Sequence, residues 1–336
     1  MLGRIVLLLA MAGACWGLAG ESVIVELSAT PIASPELIFA GPARLAVGSA
    51  GWIPLPEKGV KIPGEQQSGR FTLAGEEVFI TWRGNRDFTI TAGGKTVGLR
   101  AISRSYGLQP STVTLSDGRH YTLAFPVAQV GRTPEGIQAV IFYRAGASQN
   151  GRLDDEIVSI YDANTDGTYE PVRDSFRVGV AERPMIFAPI AEYFATSRGI
   201  YRIDEIAADG SRVVCTRHDG PAGKLDIQHA SGQSELSLII VSTDGTMSAA
   251  ATAGSKVRPP LLLLPGEYHV KYGIVATVPQ GRVTAVLQPD SIQPITIEEG
   301  STARLELGPP YQLGFEARSD GMRFTLDAGS FKLTRS

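Results

Sequence analysis

Between Asp162 and Asp174 polar side chains recur at a spacing that one particular chemistry requires. Asp162, Asn164 and Asp166 carry side-chain oxygens at positions 1, 3 and 5, Gly167 follows at 6, and Thr168 offers its carbonyl at 7. Hard oxygen donors in that order, with a glycine for the sharp turn, are what a calcium ion asks of a loop. Asp174 adds a third carboxylate at position 13, and Glu170, at 9, can donate directly or through water. Calcium is therefore the expected cofactor, held by Asp162, Asn164, Asp166, Thr168 and Asp174. The competing reading is a polar hairpin loop held by Asx turns. Asp-Gly occurs six times, at Asp117, Asp166, Asp209, Asp219, Asp244 and Asp320, mostly between strand-like runs, so the dipeptide alone is turn chemistry.

The run from Asp162 to Gly167 resembles the DxNxDG calcium loop of EF-hand and dockerin proteins, over roughly one loop length. Those families close the loop with an acid at position 12, where this chain has Arg173 and the acid is displaced to Asp174. The flanks also differ. Ile157-Val158-Ser159-Ile160-Tyr161 and Phe176-Arg177-Val178-Gly179-Val180 read as strands, not helices. What the resemblance implies is a calcium clip on a β-hairpin, structural rather than switching. A second local resemblance lies at Leu264-Pro265-Gly266-Glu267-Tyr268-His269-Val270. It is similar to the LPxGxY strand opening of bacterial prealbumin-like and carboxypeptidase-regulatory-like modules, with proline and glycine adjacent here. It implies a small β-sandwich. No resemblance spans the whole chain.

No catalytic residues emerge. Gly94-Lys95-Thr96 mimics the end of a phosphate loop, but Thr89 stands where a glycine is needed and no helix follows. His120, His218, His229 and His269 lack zinc-motif spacing, and no serine sits in a G-x-S-x-G elbow. Cys215 alternates with Val213 and reads as a small buried hydrophobe. Asp154 and Asp155 read as solvated strand-edge charges. For sugar stacking, Trp52 beside Pro54 is the better surface candidate, while Trp82 in a strand reads as core.

The elements that must position the loop are short strands. Gly (38) and Pro (21) punctuate apolar-alternating runs throughout. Val78–Trp82, Phe88–Thr91 and Val97–Leu99 read as hairpins in series. Val113–Leu115 and Tyr121–Leu123 flank Asp117-Gly118, which suits a type I′ turn. Ile190–Arg198 is expected as a short helix. The fold class is mainly β, in two or three antiparallel sandwich-like domains with short hairpins and little helix. The expected division is a signal peptide at 1–19, an N-terminal β domain at 20–110, a central β domain at 111–252 carrying the loop, a linker at 253–260 and a small β-sandwich at 261–336.

Arg4, the apolar run Ile5–Ala14, and Gly17 and Ala19 before a cleavage point read as an export signal. Cys15 raises the alternative of a lipid anchor, although Ala12 lacks the branching usual three residues before such a cysteine. The expected location is secreted, periplasmic or cell envelope. No later apolar run is long enough to span a membrane. The formal charge of −3 argues against a nucleic-acid partner. With Cys15 removed, Cys215 stands alone and no internal disulfide forms. Two functions follow as expectations. One is a non-enzymatic exported β-sandwich protein with a structural calcium loop, in an envelope, extracellular or adhesion role with a ligand or surface partner. The other is a secreted hydrolase or carbohydrate-binding accessory module, which requires a cleft with converging polar groups.

Overall fold

The computed structural model describes residues 22–31, 36–39, 44–48, 51–54, 59–63, 68–84, 87–99, 108–133, 136–171, 173–179, 187–229, 234–253, 259–277, 283–287, 292–307, 311–314, 317–320, 323–326 and 332–335. The expected export signal and Cys15 lie outside them. Within them the chain is mainly β, in several small sheets, with no helix.

Three apolar cores organise the sheets. In the first, strands Ser68–Leu73, Glu76–Gly84, Asp87–Ala92 and Lys95–Leu99 form an antiparallel meander. Its inward alternation of Phe71, Leu73, Val78, Ile80, Phe88 and Ile90 packs against Val113, Leu123 and Phe125 of the hairpin Leu108–Thr114 and His120–Thr133. The tight turns follow their residues: Gly93 and Gly94 both take positive φ, as a type I′ turn demands. Ala74 and Gly75 do the same, and the φ of 51° at Ala74 is uncommon for a residue with a Cβ. The Asp117-Gly118 turn differs from expectation. Only Gly118 is left-handed, and Asp117 instead caps the Arg119 amide at 2.9 Å, so a single glycine suffices.

The second core lies between two sheets. One contains Ser22–Glu26, Arg212–His218, Ile200–Ile206 and Tyr193–Ala195; the other contains Ser28–Pro31, Ala147–Leu153, Glu156–Tyr161, Ser175–Gly179 and Ala188–Pro189. Val25, Val158, Ile160, Phe176, Phe194, Val213 and Cys215 fill it. Cys215 is fully buried, and burial pushes its thiol up to about 11, so it behaves as a packed hydrophobe. The helix expected at Ile190–Arg198 is instead the strand Tyr193–Ala195 and a turn. Phe194 packs on Phe176 and Tyr201, with centroids at 4.7 Å and 5.6 Å, while Ser197-Arg198 turns the chain so that the Thr196 amide meets the Gly199 carbonyl. Aromatic cross-strand packing outweighed a weak local helical pattern.

The third core joins segments from both sides of the expected 253–260 linker. Strand Ser234–Ser242 pairs with Gly266–Thr277, and Gly223–His229 pairs in parallel with Thr302–Leu307. Residue 253 itself belongs to strand Ser248–Ala253. Leu225, Leu236, Leu238, Val270, Ile297 and Leu305 share one core, so hydrogen bonds and packing run across that segment. The parallel pair is an exception to the all-antiparallel expectation. Gly266 opens its strand, and buried Tyr268 donates its hydroxyl to the Leu264 carbonyl at 2.8 Å.

Candidate metal centre

Antiparallel strands Glu156–Tyr161 and Ser175–Gly179 deliver both ends of the 162–174 loop to the same place, with Tyr161 opposite Ser175. Asp162 and Asp174 therefore leave the sheet side by side in sequence register, and both are fully buried, at 0% exposure. Their oxygens hold the loop backbone. Asp162 Oδ1 accepts the Asp166 amide at 3.2 Å, and its Oδ2 accepts the Gly167 amide at 2.8 Å and the Tyr121 hydroxyl. Asp174 Oδ1 accepts the Ala163 amide at 2.9 Å, and Oδ2 accepts the Glu170 amide at 2.7 Å.

The other expected ligands lie on the loop's half-buried side. Asn164 Oδ1 accepts the Asp166 amide at 2.8 Å, and Asn164 Nδ2 donates to Asp166 Oδ2 at 2.7 Å. Asp166 Oδ1 accepts both the amide and the hydroxyl of Thr168, at 2.9 and 2.6 Å. Two further Asp-Gly turns use the same device. Asp209 accepts both donors of Ser211, and Asp244 both donors of Thr246. Asp166 thus performs turn chemistry found elsewhere in the chain, whereas Asp162 and Asp174 do not. Glu170 is exposed and ion-paired with Arg173 at 3.4 Å, so only its backbone serves the loop.

The loop also ties distant segments together. The Ala74 amide donates to the Asp166 carbonyl, the Tyr169 amide to Ala208, the Ile190 amide to Asp174, and the Ala145 amide to Thr165 Oγ1 at 3.2 Å. Gly167, at φ +83°, lies against Ala74, and Tyr169 packs its ring against Gly210. The loop is a latch between the first core's 74–75 turn and the second core's sheets.

Burial pushes the Asp162 carboxyl up to about 6 and the Asp174 carboxyl up to about 7, against the amide hydrogen bonds that pull both down. Burial also raises the Tyr121 hydroxyl well above its ordinary value, with the Asp162 charge adding to it. Unfolded, both carboxyls ionise near 3.8. Between that pH and about 7 the folded chain therefore holds more protons than the unfolded one. This pair's contribution to stability is full below 3.8 and is lost as pH rises through 6 and 7. The expected result is a melting midpoint lower at pH 8 than at pH 5.5 by on the order of 5 °C, with the Asp162→Asn/Asp174→Asn double variant showing a flatter profile. An equal slope in that variant assigns the pH dependence elsewhere.

The donor types fit calcium, and the fit is one of chemistry. Among the described residues, no three acidic, histidine or cysteine side chains converge closely enough to hold a metal unaided. An ion would need Asn164 and the Thr168 carbonyl as well, and would share oxygens with backbone donors through their second lone pairs. Asp154 and Asp155 are not part of this centre. Asp154 accepts the hydroxyls of Thr196 and Tyr201, and Asp155 pairs with Arg198. His120 hydrogen-bonds Thr114, and Trp82 packs partly buried on the first core. The side chain of Trp52 lies outside the described residues.

Sequence reading passed over Arg144 and Arg177, which are 1% and 6% exposed. In Ser175-Phe176-Arg177-Val178-Gly179 the alternation makes Arg177 look like a solvated face. Only the assembled sheet shows that this face is covered.

No protein-family model and no curated protein matches the chain. Among solved structures, a leucine-rich repeat protein from Bacteroides thetaiotaomicron VPI-5482 aligns over 63% of this chain and 25% of its own, at 10% identity and a TM-score of 0.21. The chain spans about a quarter of that protein's length, and so slight a likeness carries no statement about fold or function.

Proposed function

We propose that this chain is an exported, non-enzymatic β protein with a structural or adhesion role in the envelope or extracellular space, in which calcium stiffens the 162–174 latch. The observation that carries the reading is the pair of fully buried carboxylates, Asp162 and Asp174, on one loop. Among the described residues no ion pair reaches either of them, and their donors are neutral amides and a phenol. Two buried negative charges without a cation are costly. The sequence spacing places further oxygen donors beside them, which is the chemistry of a hard divalent ion. The export reading of residues 1–19 supplies the compartment, where calcium is plentiful enough for a weak site.

Calcium would act by neutralising this pair and ordering the backbone between Ala163 and Glu170. With a dissociation constant on the order of 0.1–1 mM, 10 mM calcium should stabilise the fold by about 1.4–2.7 kcal/mol relative to chelator. The check is a thermal or urea melt of the purified protein in calcium and in chelator, with magnesium at equal ionic strength as control. Because ligation requires the ionised carboxylates, the gain should be larger at pH 8 than at pH 5.5. Equal midpoints in calcium and chelator at pH 8 would remove the metal from this reading and leave the latch as a hydrogen-bonded one.

A further inference from the structure

The five-stranded sheet of the second core buries both of its faces, and the two faces differ in kind. One carries Val158, Ile160 and Phe176 into the apolar core. The other carries Ser159, Tyr161, Ser175 and Arg177, all buried as well. Ser159 and Arg177 are direct cross-strand partners in the register, so their side chains stand next to each other on that face.

A buried polar face ordinarily satisfies itself with hydrogen bonds. This one does not. Among the described residues, Ser159 Oγ and Arg177 Nε meet no hydrogen-bond partner. Arg177 forms no ion pair with any of them, and its guanidinium lies over the Phe187 ring at 5.6 Å from the centroid. A ring face offsets part of a buried cation's lost hydration and supplies no hydrogen bond acceptor. Burial pulls the guanidinium's pKa down to about 10, and no carboxylate among the described residues opposes it. On the same face Tyr161 packs on Phe187 and donates its hydroxyl to the Ala145 carbonyl at 3.0 Å, and among the described residues the buried Arg144 also leaves its Nε and Nη1 without acceptors.

The face also has room at one end. Gly179 follows Arg177 two residues along the strand, pairs with half-buried Ile157, and among the described residues has nothing within 4 Å of where a Cβ would stand. A fixed cation with a free N–H, a hydroxyl beside it, an aromatic floor and an open end form a receptor for one kind of group. A water molecule would satisfy the hydrogen bonds but leave the charge. A planar guanidinium is matched by the oxygens of a carboxylate, sulfate or phosphate.

We propose that Arg177 and Ser159, floored by Phe187 and open at Gly179, bind an oxyanionic group of a small ligand. Arg177 carries the charge recognition, Ser159 donates its hydroxyl to a second oxygen, and the rest of the ligand leaves past Gly179. The site is separate from the calcium reading, since it uses the opposite charge and other side chains.

The test is a melting and calorimetric titration of the purified full protein with sodium sulfate, inorganic phosphate and citrate, each against sodium chloride at matched ionic strength and in the presence of chelator. At least one anion should raise the midpoint saturably, by on the order of 3 °C or more, and the three arms rank the oxyanion chemistry. Arg177→Met should abolish the response while raising the midpoint in sodium chloride, because it removes an uncompensated buried charge; a purely structural arginine would be destabilised by that change. Gly179→Val keeps an ordinary backbone and fills only open space, so it should leave the sodium chloride midpoint unchanged and weaken anion binding at least tenfold. The proposal is overturned if none of the three anions gives a saturable shift, or if the shift survives in Gly179→Val and in folded Arg177→Met.

Discussion

Replacing Asp162 by alanine should lower the unfolding free energy by on the order of 3–5 kcal/mol, while the same change at Asp166 should cost about 1 kcal/mol. The two residues look equivalent in sequence, each an acid of the same loop. In the structure Asp162 is fully buried and accepts from Tyr121, Asp166 and Gly167. Truncation would leave the Tyr121 hydroxyl and the Gly167 amide facing a cavity, each with a desolvation penalty of about 1–3 kcal/mol, while the Asp166 amide keeps its bond to Asn164 Oδ1. Relief of the buried charge offsets part of this, so the loss should be smaller at pH 8 than at pH 5.5, where the native carboxyl is mostly protonated. Asp166 is half-buried and caps a turn as Asp209 and Asp244 do, so water can replace much of what it offers. Urea denaturation of both variants at two pH values measures the difference. An Asp166→Ala protein less stable than Asp162→Ala would contradict the latch described above.

Gly167→Ala should destabilise by about 2–4 kcal/mol, and Gly75→Ala by about 1 kcal/mol, although both glycines have positive φ. Gly167 sits at φ +83° and Gly75 at φ +78°, so the backbone penalty is shared. The difference is what a methyl group would meet. At Gly167 it would stand 2.8 Å from both the amide nitrogen and the Cβ of Ala74, whereas nothing lies within 4 Å at Gly75. To make room, the 74–75 turn must retreat from the loop, which breaks the Ala74 amide's bond to the Asp166 carbonyl. Equilibrium unfolding supplies the energies. Hydrogen exchange at Ala74 locates the damage: its amide should lose protection in Gly167→Ala. Equal losses at the two glycines would mean that the contact between turn and loop contributes nothing.

The strand pattern was legible because alternation is a local property. Runs such as Phe71–Leu73 and Phe88–Ile90 announce one buried face by their spacing alone, and the glycines between them announce the turns. The two ends of the loop were legible as well, since a carboxylate at each end of a hairpin is visible in the chain. What spacing does not carry is direction. It names Asp162, Asn164, Asp166, Thr168 and Asp174 as one set of oxygens, whereas folding divides them into two buried backbone anchors and a half-buried Asx turn. That division depends on Tyr121 and Ala74, dozens of residues away. Arg177 escaped notice for a related reason. Polar alternation reads as a solvated face, and only the placement of Phe187 over it shows that the face is closed. The helix expected at Ile190–Arg198 failed because Phe194 finds its partners on Phe176 and Tyr201, contacts that no local propensity contains.

The parallel pairing of Gly223–His229 with Thr302–Leu307 governs the order in which the third core can assemble. A hairpin closes on its own turn within microseconds, but a parallel pair waits for a long intervening segment to be gathered first. Until Thr302–Leu307 docks, Gly223–His229 has, among the described strands, only the three-residue Leu261–Leu263 beside it, with its other edge open and Leu225 without the Leu305 side of its core. The slowest step of refolding is therefore expected to be this strand insertion and not closure of the hairpins around the latch. In that interval the 223–229 edge is open to pairing with another chain.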